Sequence, residues 1–132
     1  MLDRAIRIAP RNHSFHYDRA CVRLRLGRSR AAIEDFTRIA RNRGFCMLAA
    51  EGRGRARALR GDLRSALKDL DRAVRMRAGI RENHFYRGLV RFLSKDLVGA
   101  ARDFSAGNVP RGLAAGMTQQ RAKELLRRDL PY

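Results

Sequence analysis

The chain repeats itself every 34 residues. Slid against itself by that interval, its 132 residues align in three copies, beginning near His13, Met47 and Arg81. Five columns are identical in all three: Arg19/Arg53/Arg87, Arg23/Arg57/Arg91, Ala32/Ala66/Ala100, Asp35/Asp69/Asp103 and Arg43/Arg77/Arg111. Near-identities accompany them. Ala20/Gly54/Gly88 keeps a small residue, and Phe36/Leu70/Phe104 keeps a large apolar one directly after the Asp. A period of this length marks a stack of identical supersecondary units, none of which can bury its apolar face alone.

Each copy reads as two helices. In the second, Leu63, Ala66, Leu67, Leu70, Ala73 and Val74 fall at helical spacing on one face. Gly61 is placed to end the helix before it, since glycine accepts the left-handed conformation of a tight stop. Asp62 and Asp96 follow as caps that accept backbone N–H bonds, and Ser29 is the nearest candidate in the first copy. The Gly27/Gly61 column continues as Lys95. The invariant Ala lets two helices approach closely, and the Phe or Leu four places on fills the space beside it.

This pattern resembles the tetratricopeptide repeat (TPR) family, whose 34-residue signature is W-x2-L-G-x2-Y, then A-x3-F, then P. The A-x3-F part stands as Ala32…Phe36, Ala66…Leu70 and Ala100…Phe104. Its small residue stands as Ala20, Gly54 and Gly88, and its Pro once, as Pro10, with Gly44, Ala78 and Gly112 at the later positions. His16, Ala50 and His84 replace the Trp, and the Arg pairs of each copy replace the Leu and Tyr. Tyr86-Arg87-Gly88 and Arg60-Gly61-Asp62-Leu63 look like bacterial members. The resemblance implies an all-α solenoid of antiparallel helix pairs: a half-repeat over 1–12, repeats over 13–46, 47–80 and 81–114, and a C-terminal capping helix within 115–132.

At the start, residues 2–10 are similar to the second helix of an earlier repeat, without its partner. The expectation is that the chain is a fragment of a larger protein, or that another chain, including a second copy, covers the exposed side. At the other end, Arg121-Ala122 lies one further period on from Arg87-Gly88, so the last helix reads as the first of a fourth unit, capped by Thr118.

Charge is the other strong feature. Thirty basic residues, 27 of them Arg, stand against thirteen acidic ones, a net of +17. Such a chain attracts polyanions. However, Arg occurs in every segment, as a general compositional preference would produce. There is no run of eighteen apolar residues for a membrane span and no signal-peptide pattern at the start, so a cytoplasmic protein is expected. Cys21 and Cys46 form no zinc or redox motif.

Nothing in the sequence has the form of an active site, and no catalytic residue, metal ligand or cofactor is assigned. His13 and His16 lack a third ligand at a suitable spacing, and His16 and His84 hold the family's Trp position, which implies packing. Gly52-Arg53-Gly54 falls inside a helix with no strand before it, unlike a phosphate loop. Arg19, Arg53 and Arg87 come level with Asp35, Asp69 and Asp103 on the neighbouring helix, predicting an ion pair in each repeat. Arg as three ligand hooks is the minor alternative.

The resemblance implies a concave groove lined by the first helix of each repeat. By register it carries Tyr17, Cys21, Leu24 and Arg25; then Glu51, Arg55, Ala58 and Leu59; then Glu82, Phe85, Leu89, Phe92 and Leu93. Tyr17, Arg25, Arg55, Leu59, Glu82, Phe85, Leu89 and Phe92 are taken as the partner-binding set. Phe85 and Phe92 would hold apolar anchors, and Arg25 and Arg55 acidic groups. Equally, Phe85, Leu89, Phe92 and Leu93 would pack against the capping helix. Some family members clamp a chaperone's C-terminal carboxylate with Lys and Asn. Tyr17, Cys21, Gly52, Glu82 and Tyr86 hold those places here, so that activity is not carried over. The expected function is a non-catalytic scaffold binding a peptide or helix of another protein. The alternatives are a basic nucleic-acid-binding repeat and a regulatory module of a larger TPR protein.

Overall fold

The computed structural model describes residues 2–9 and 12–129. Among them are nine helices and no strand: α1 (Leu2–Ile8), α2 (His13–Arg25), α3 (Ser29–Ile39), α4 (Cys46–Leu59), α5 (Leu63–Met76), α6 (Arg81–Leu93), α7 (Leu97–Ala106), α8 (Arg111–Ala115) and α9 (Gln119–Leu126). Three antiparallel pairs, α2–α3, α4–α5 and α6–α7, stack in sequence, with α2, α4 and α6 side by side. The fold is thus an all-α solenoid in step with the 34-residue interval. Pro10, the one Pro that matches the family signature, and the last three residues of the expected capping region lie outside the described residues. No helix is long and apolar enough to cross a membrane, among the described residues.

The turn inside each pair is made the same way three times. Arg28, Asp62 and Asp96 donate their backbone N–H to the carbonyls of Arg23, Arg57 and Arg91, at 2.8, 2.9 and 2.9 Å. This closure satisfies carbonyls that the helix end leaves free, and it needs a left-handed residue just before. Gly27 and Gly61 supply it at φ 77° and 85°, and Lys95 is held there at 67°. Asp62 and Asp96 then cap α5 and α7, accepting from Ser65 N at 3.4 Å and Gly99 N at 2.9 Å. Ser29 does not play this part in the first repeat. It is the first residue of α3, and Arg28 before it makes no side-chain cap bond. The Schellman-type closure carries that turn without one.

Close approach is built from the small columns. Ala32, Ala66 and Ala100 are buried, and Phe36, Leu70 and Phe104 fill the space beside them. A Cβ on Gly88 would lie 2.7 Å from the Phe104 ring, and one on Gly54 would lie 2.8 Å from Leu70 Cγ. In the second and third pairs the second helix therefore presses directly on the backbone of the first.

The columns where the family keeps Leu and Tyr are filled by charge. Asp35, Asp69 and Asp103 are all buried. Arg19 grips Asp35 with two bonds, at 3.0 and 2.7 Å, and Arg23 adds a third at 2.8 Å. Arg53 and Arg57 hold Asp69 at 3.0, 3.0 and 2.7 Å. Arg87 and Arg91 hold Asp103 at 3.0, 2.8 and 2.9 Å. The expected ion pair in each repeat is present, and each Asp has two cations. The remaining nitrogen of the first Arg reaches one repeat back: Arg19 to Asp3 at 3.0 Å, Arg53 to Thr37 at 3.4 Å, Arg87 to Asp71 at 3.1 Å. His16 and His84 lie beside the same carboxylates, with Nδ1 at 3.9 and 3.8 Å.

Candidate partner-binding groove

The first helices α2, α4 and α6 line one face of the array, and α9 lies on it. α9 forms where the interval places it, with Thr118 accepting from Arg121 N at 3.1 Å. Its packing departs from the interval. A first helix of a fourth unit would stack on α7, as α4 stacks on α3 and α6 on α5; α9 packs on α6 and α4 instead. Ala122, Leu125 and Leu126 are buried in one cluster with Phe85, Tyr86, Leu89, Ala58 and Met117.

The polar anchor of this contact is Arg55, which is buried. Its Nε donates to the carbonyl of Leu126 at 2.8 Å, and its Nη2 donates to the carbonyl of Arg128. Nη1 meets Glu51 at 3.1 Å, and the guanidinium lies 4.1 Å from the centre of the Tyr86 ring. Tyr86 Oη donates to the same Arg128 carbonyl at 2.8 Å. Leu126 is the last residue of α9, so its carbonyl is one that a helix end leaves without an internal partner. A cation there also suits the negative end of the helix dipole. On the far side, Arg127 donates to the carbonyl of Arg25 at 2.9 Å.

Burial sets the titration of the groups around Arg55. Removal from water pushes the Glu51 carboxyl up, and the Arg55 charge opposes that without cancelling it. Burial likewise raises the phenols of Tyr17 and Tyr86 and the thiol of Cys21. Cys21 therefore has little thiolate character. No group of three or more His, Cys, Asp or Glu side chains is placed to hold a metal ion, among the described residues.

The eight residues of the expected binding set do not form one open surface. Tyr17 is half-buried on α2, its ring 6.2 Å from that of Phe36 and 6.0 Å from that of Phe45. Arg25 is exposed at the end of α2. Arg55 is buried against the chain's own C-terminal segment, and Leu59 is half-buried between the two apolar clusters. Glu82 is half-buried on α6. Phe85 and Leu89 are fully enclosed. Phe92 is half-buried at the edge of the same cluster and lines a second groove of about 800 Å³ with Leu97, Phe104, Val109 and Ala114. Spacing puts Phe85 and Phe92 on one face of α6, yet α9 covers one and not the other. Sequence reasoning left Tyr86 and the α9 trio out of the set. The signal was the Leu125-Leu126 pair in an otherwise polar segment.

A comparison with curated protein sequences gives no match. The family profile described as tetratricopeptide repeat matches residues 17–79 and 60–112. These spans take in the whole of α3 to α7 and most of α2, and with the helix pairs described above they establish that the chain belongs to the tetratricopeptide repeat family.

Proposed function

We propose that this protein is a non-catalytic scaffold that takes a helix or peptide of a partner protein on the face formed by α2, α4 and α6. Repeats of this family generally mediate protein–protein interaction. The observation that carries the narrower reading is the seating of α9: this face holds a helix by an apolar patch and by main-chain hydrogen bonds from Arg55 and Tyr86. That is helix-in-groove recognition. The six column arginines, by contrast, are committed to Asp35, Asp69 and Asp103 within the fold. The nucleic-acid alternative therefore draws on the remaining, scattered charge.

The test is site-specific photo-crosslinking in cells. A crosslinker at Arg25, exposed on the groove side, should trap protein partners that one at Arg72, exposed on α5, does not. The same products from both positions would remove the groove from the account. Nucleic acid as the main product at both would favour the alternative.

A further inference from the structure

We infer that α9 is an internal stand-in for the ligand, and that the partner is an acidic amphipathic helix that displaces it. This rests on the proposed groove and names what the groove recognises. Three observations carry it.

The first is the kind of contact that α9 makes. Its apolar residues are Ala122, Leu125 and Leu126, at i, i+3 and i+4, all facing one cluster. Its hydrogen-bond acceptors toward Arg55 and Tyr86 are main-chain carbonyls. Every helix ends in such carbonyls. The groove therefore asks a ligand for an apolar triplet and a free C-terminal end, and for little else in its sequence.

The second is the incomplete seam. Beside Leu59 and the turn at Gly27 and Ser29, α9 leaves a groove of about 340 Å³, with Gln120, Lys123, Glu124 and Arg127 on its own side. The apolar hold is thus concentrated on α6 and α4, and across the other flank α9 is tied by the single Arg127 bond to the Arg25 carbonyl.

The third is charge. α9 and the residues after it present Arg121, Lys123, Arg127 and Arg128 against only Glu124 and Asp129, on a chain of net +17. Beside Arg25, Arg127 and Arg128 a single carboxylate, Glu124, lines the cleft. This segment thus adds net positive charge to a host that is itself strongly basic, and a helix with the same triplet and an acidic outer face gains the long-range attraction that α9 lacks. Displacement then follows by mass action.

The experiment uses two labelled peptides: residues 116–129, and the same peptide with Arg121→Glu and Lys123→Glu. Both positions are exposed, so the apolar triplet is untouched. Binding is measured by fluorescence anisotropy to the full chain and to a Leu125→Asp/Leu126→Asp variant, in which α9 is detached. The acidic peptide should bind the variant at least tenfold tighter than it binds the full chain. It should also bind tighter than the unaltered peptide, with an advantage that shrinks as salt is added. Hydrogen exchange on the unmutated full chain supplies a readout that needs no variant: saturating acidic peptide should deprotect the α9 amides and leave α3 to α7 protected.

Equal affinity for full chain and folded variant overturns the displacement, as does binding with α9 still protected. Failure to bind either protein overturns it too. None of these bears on the crosslinking result from Arg25, which judges the groove itself.

Discussion

Arg55 binds the carbonyl of Leu126, a residue that follows it by 71 positions in the chain, with its Nε at 2.8 Å. The bond ties the middle of the array to the end of α9, and no repeat interval links the two residues. A planar fork makes it, with Nη2 on Arg128 and Nη1 on Glu51. Lysine keeps the charge but cannot reproduce the fork. Arg55→Lys should therefore loosen α9 by about 2 kcal/mol, the scale of a hydrogen bond to a charged group. That corresponds to roughly 30-fold faster exchange of the α9 amides, read by mass spectrometry, with α3 and α5 unchanged.

Asp69 and Asp71 sit two places apart on α5 with very different weight. The Asp69 side chain is 6% exposed and takes bonds from Arg53 and Arg57. That of Asp71 is 42% exposed and meets Arg87. Asp69→Asn should cost about 2–3 kcal/mol in urea denaturation, because it leaves two partly buried guanidiniums short of a counter-charge. Asp71→Asn should cost less than about 1 kcal/mol, as solvent screens an exposed pair. Equal losses would mean that the buried column is not what holds the hairpin.

Gly88 and Gly112 predict opposite signs for one substitution. Alanine at Gly88 would press on the Phe104 ring and on Asp103 Cβ. Overpacking of that kind costs about 1–3 kcal/mol and outweighs the gain in helix propensity. Gly112 lies in α8 with nothing within 4 Å of an added Cβ. There the gain stands alone, at about 0.5–1 kcal/mol. Thermal denaturation of the two variants compares them directly.

Lys95 occupies the left-handed position that Gly27 and Gly61 hold in the other repeats. A side chain there costs roughly 1–2 kcal/mol, partly offset by the extra freedom glycine has when unfolded. Lys95→Gly should stabilise the chain by about 0.5–1 kcal/mol. A lower melting temperature would show that Lys95 makes a compensating contact.

Glu51 gives the groove a pH dependence. Its folded carboxyl is raised above the ordinary value of 4.5, chiefly by burial. Below that value both folded and unfolded chains are protonated there, and the favourable term is fully present. As pH rises above it, the unfolded chain ionises first, so this contribution to stability is lost through the raised folded pKa. Denaturation from pH 4 to pH 7 should show a decline in the native chain that Glu51→Gln lacks. A parallel decline in both would assign it to another group.

The solenoid was legible because its determinants are local and recur. Ala32, Ala66 and Ala100 state the close approach three times, and Asp35 with Arg19 states the ion pair from spacing alone. Asp62, Asp96 and Thr118 announce helix starts through short-range hydrogen bonds. Ser29 misled, since a backbone closure made the side-chain cap unnecessary. The groove was harder to read for a different reason. The exposure of Phe85 depends on where Leu125 and Leu126 settle, and that choice is made across the fold by Arg55, Tyr86 and Leu89. No column encodes it, so the interval carries α9 to the right place in the chain and onto the wrong neighbour.

The backward reach of Arg19, Arg53 and Arg87 bears on how the array comes apart. Each guanidinium belongs to one hairpin and holds a side chain of the helix before it, at Asp3 on α1, Thr37 on α3 and Asp71 on α5. In a one-dimensional stack, such neighbour terms decide whether units melt singly or together. The weakest of the three links runs to Thr37, whose hydroxyl carries no charge. At that joint the coupling falls instead to the apolar contact of Phe36 and Ile39 with Ala49 and Ala56 of α4, so a neighbour term is present at every step of the stack even where charge is not.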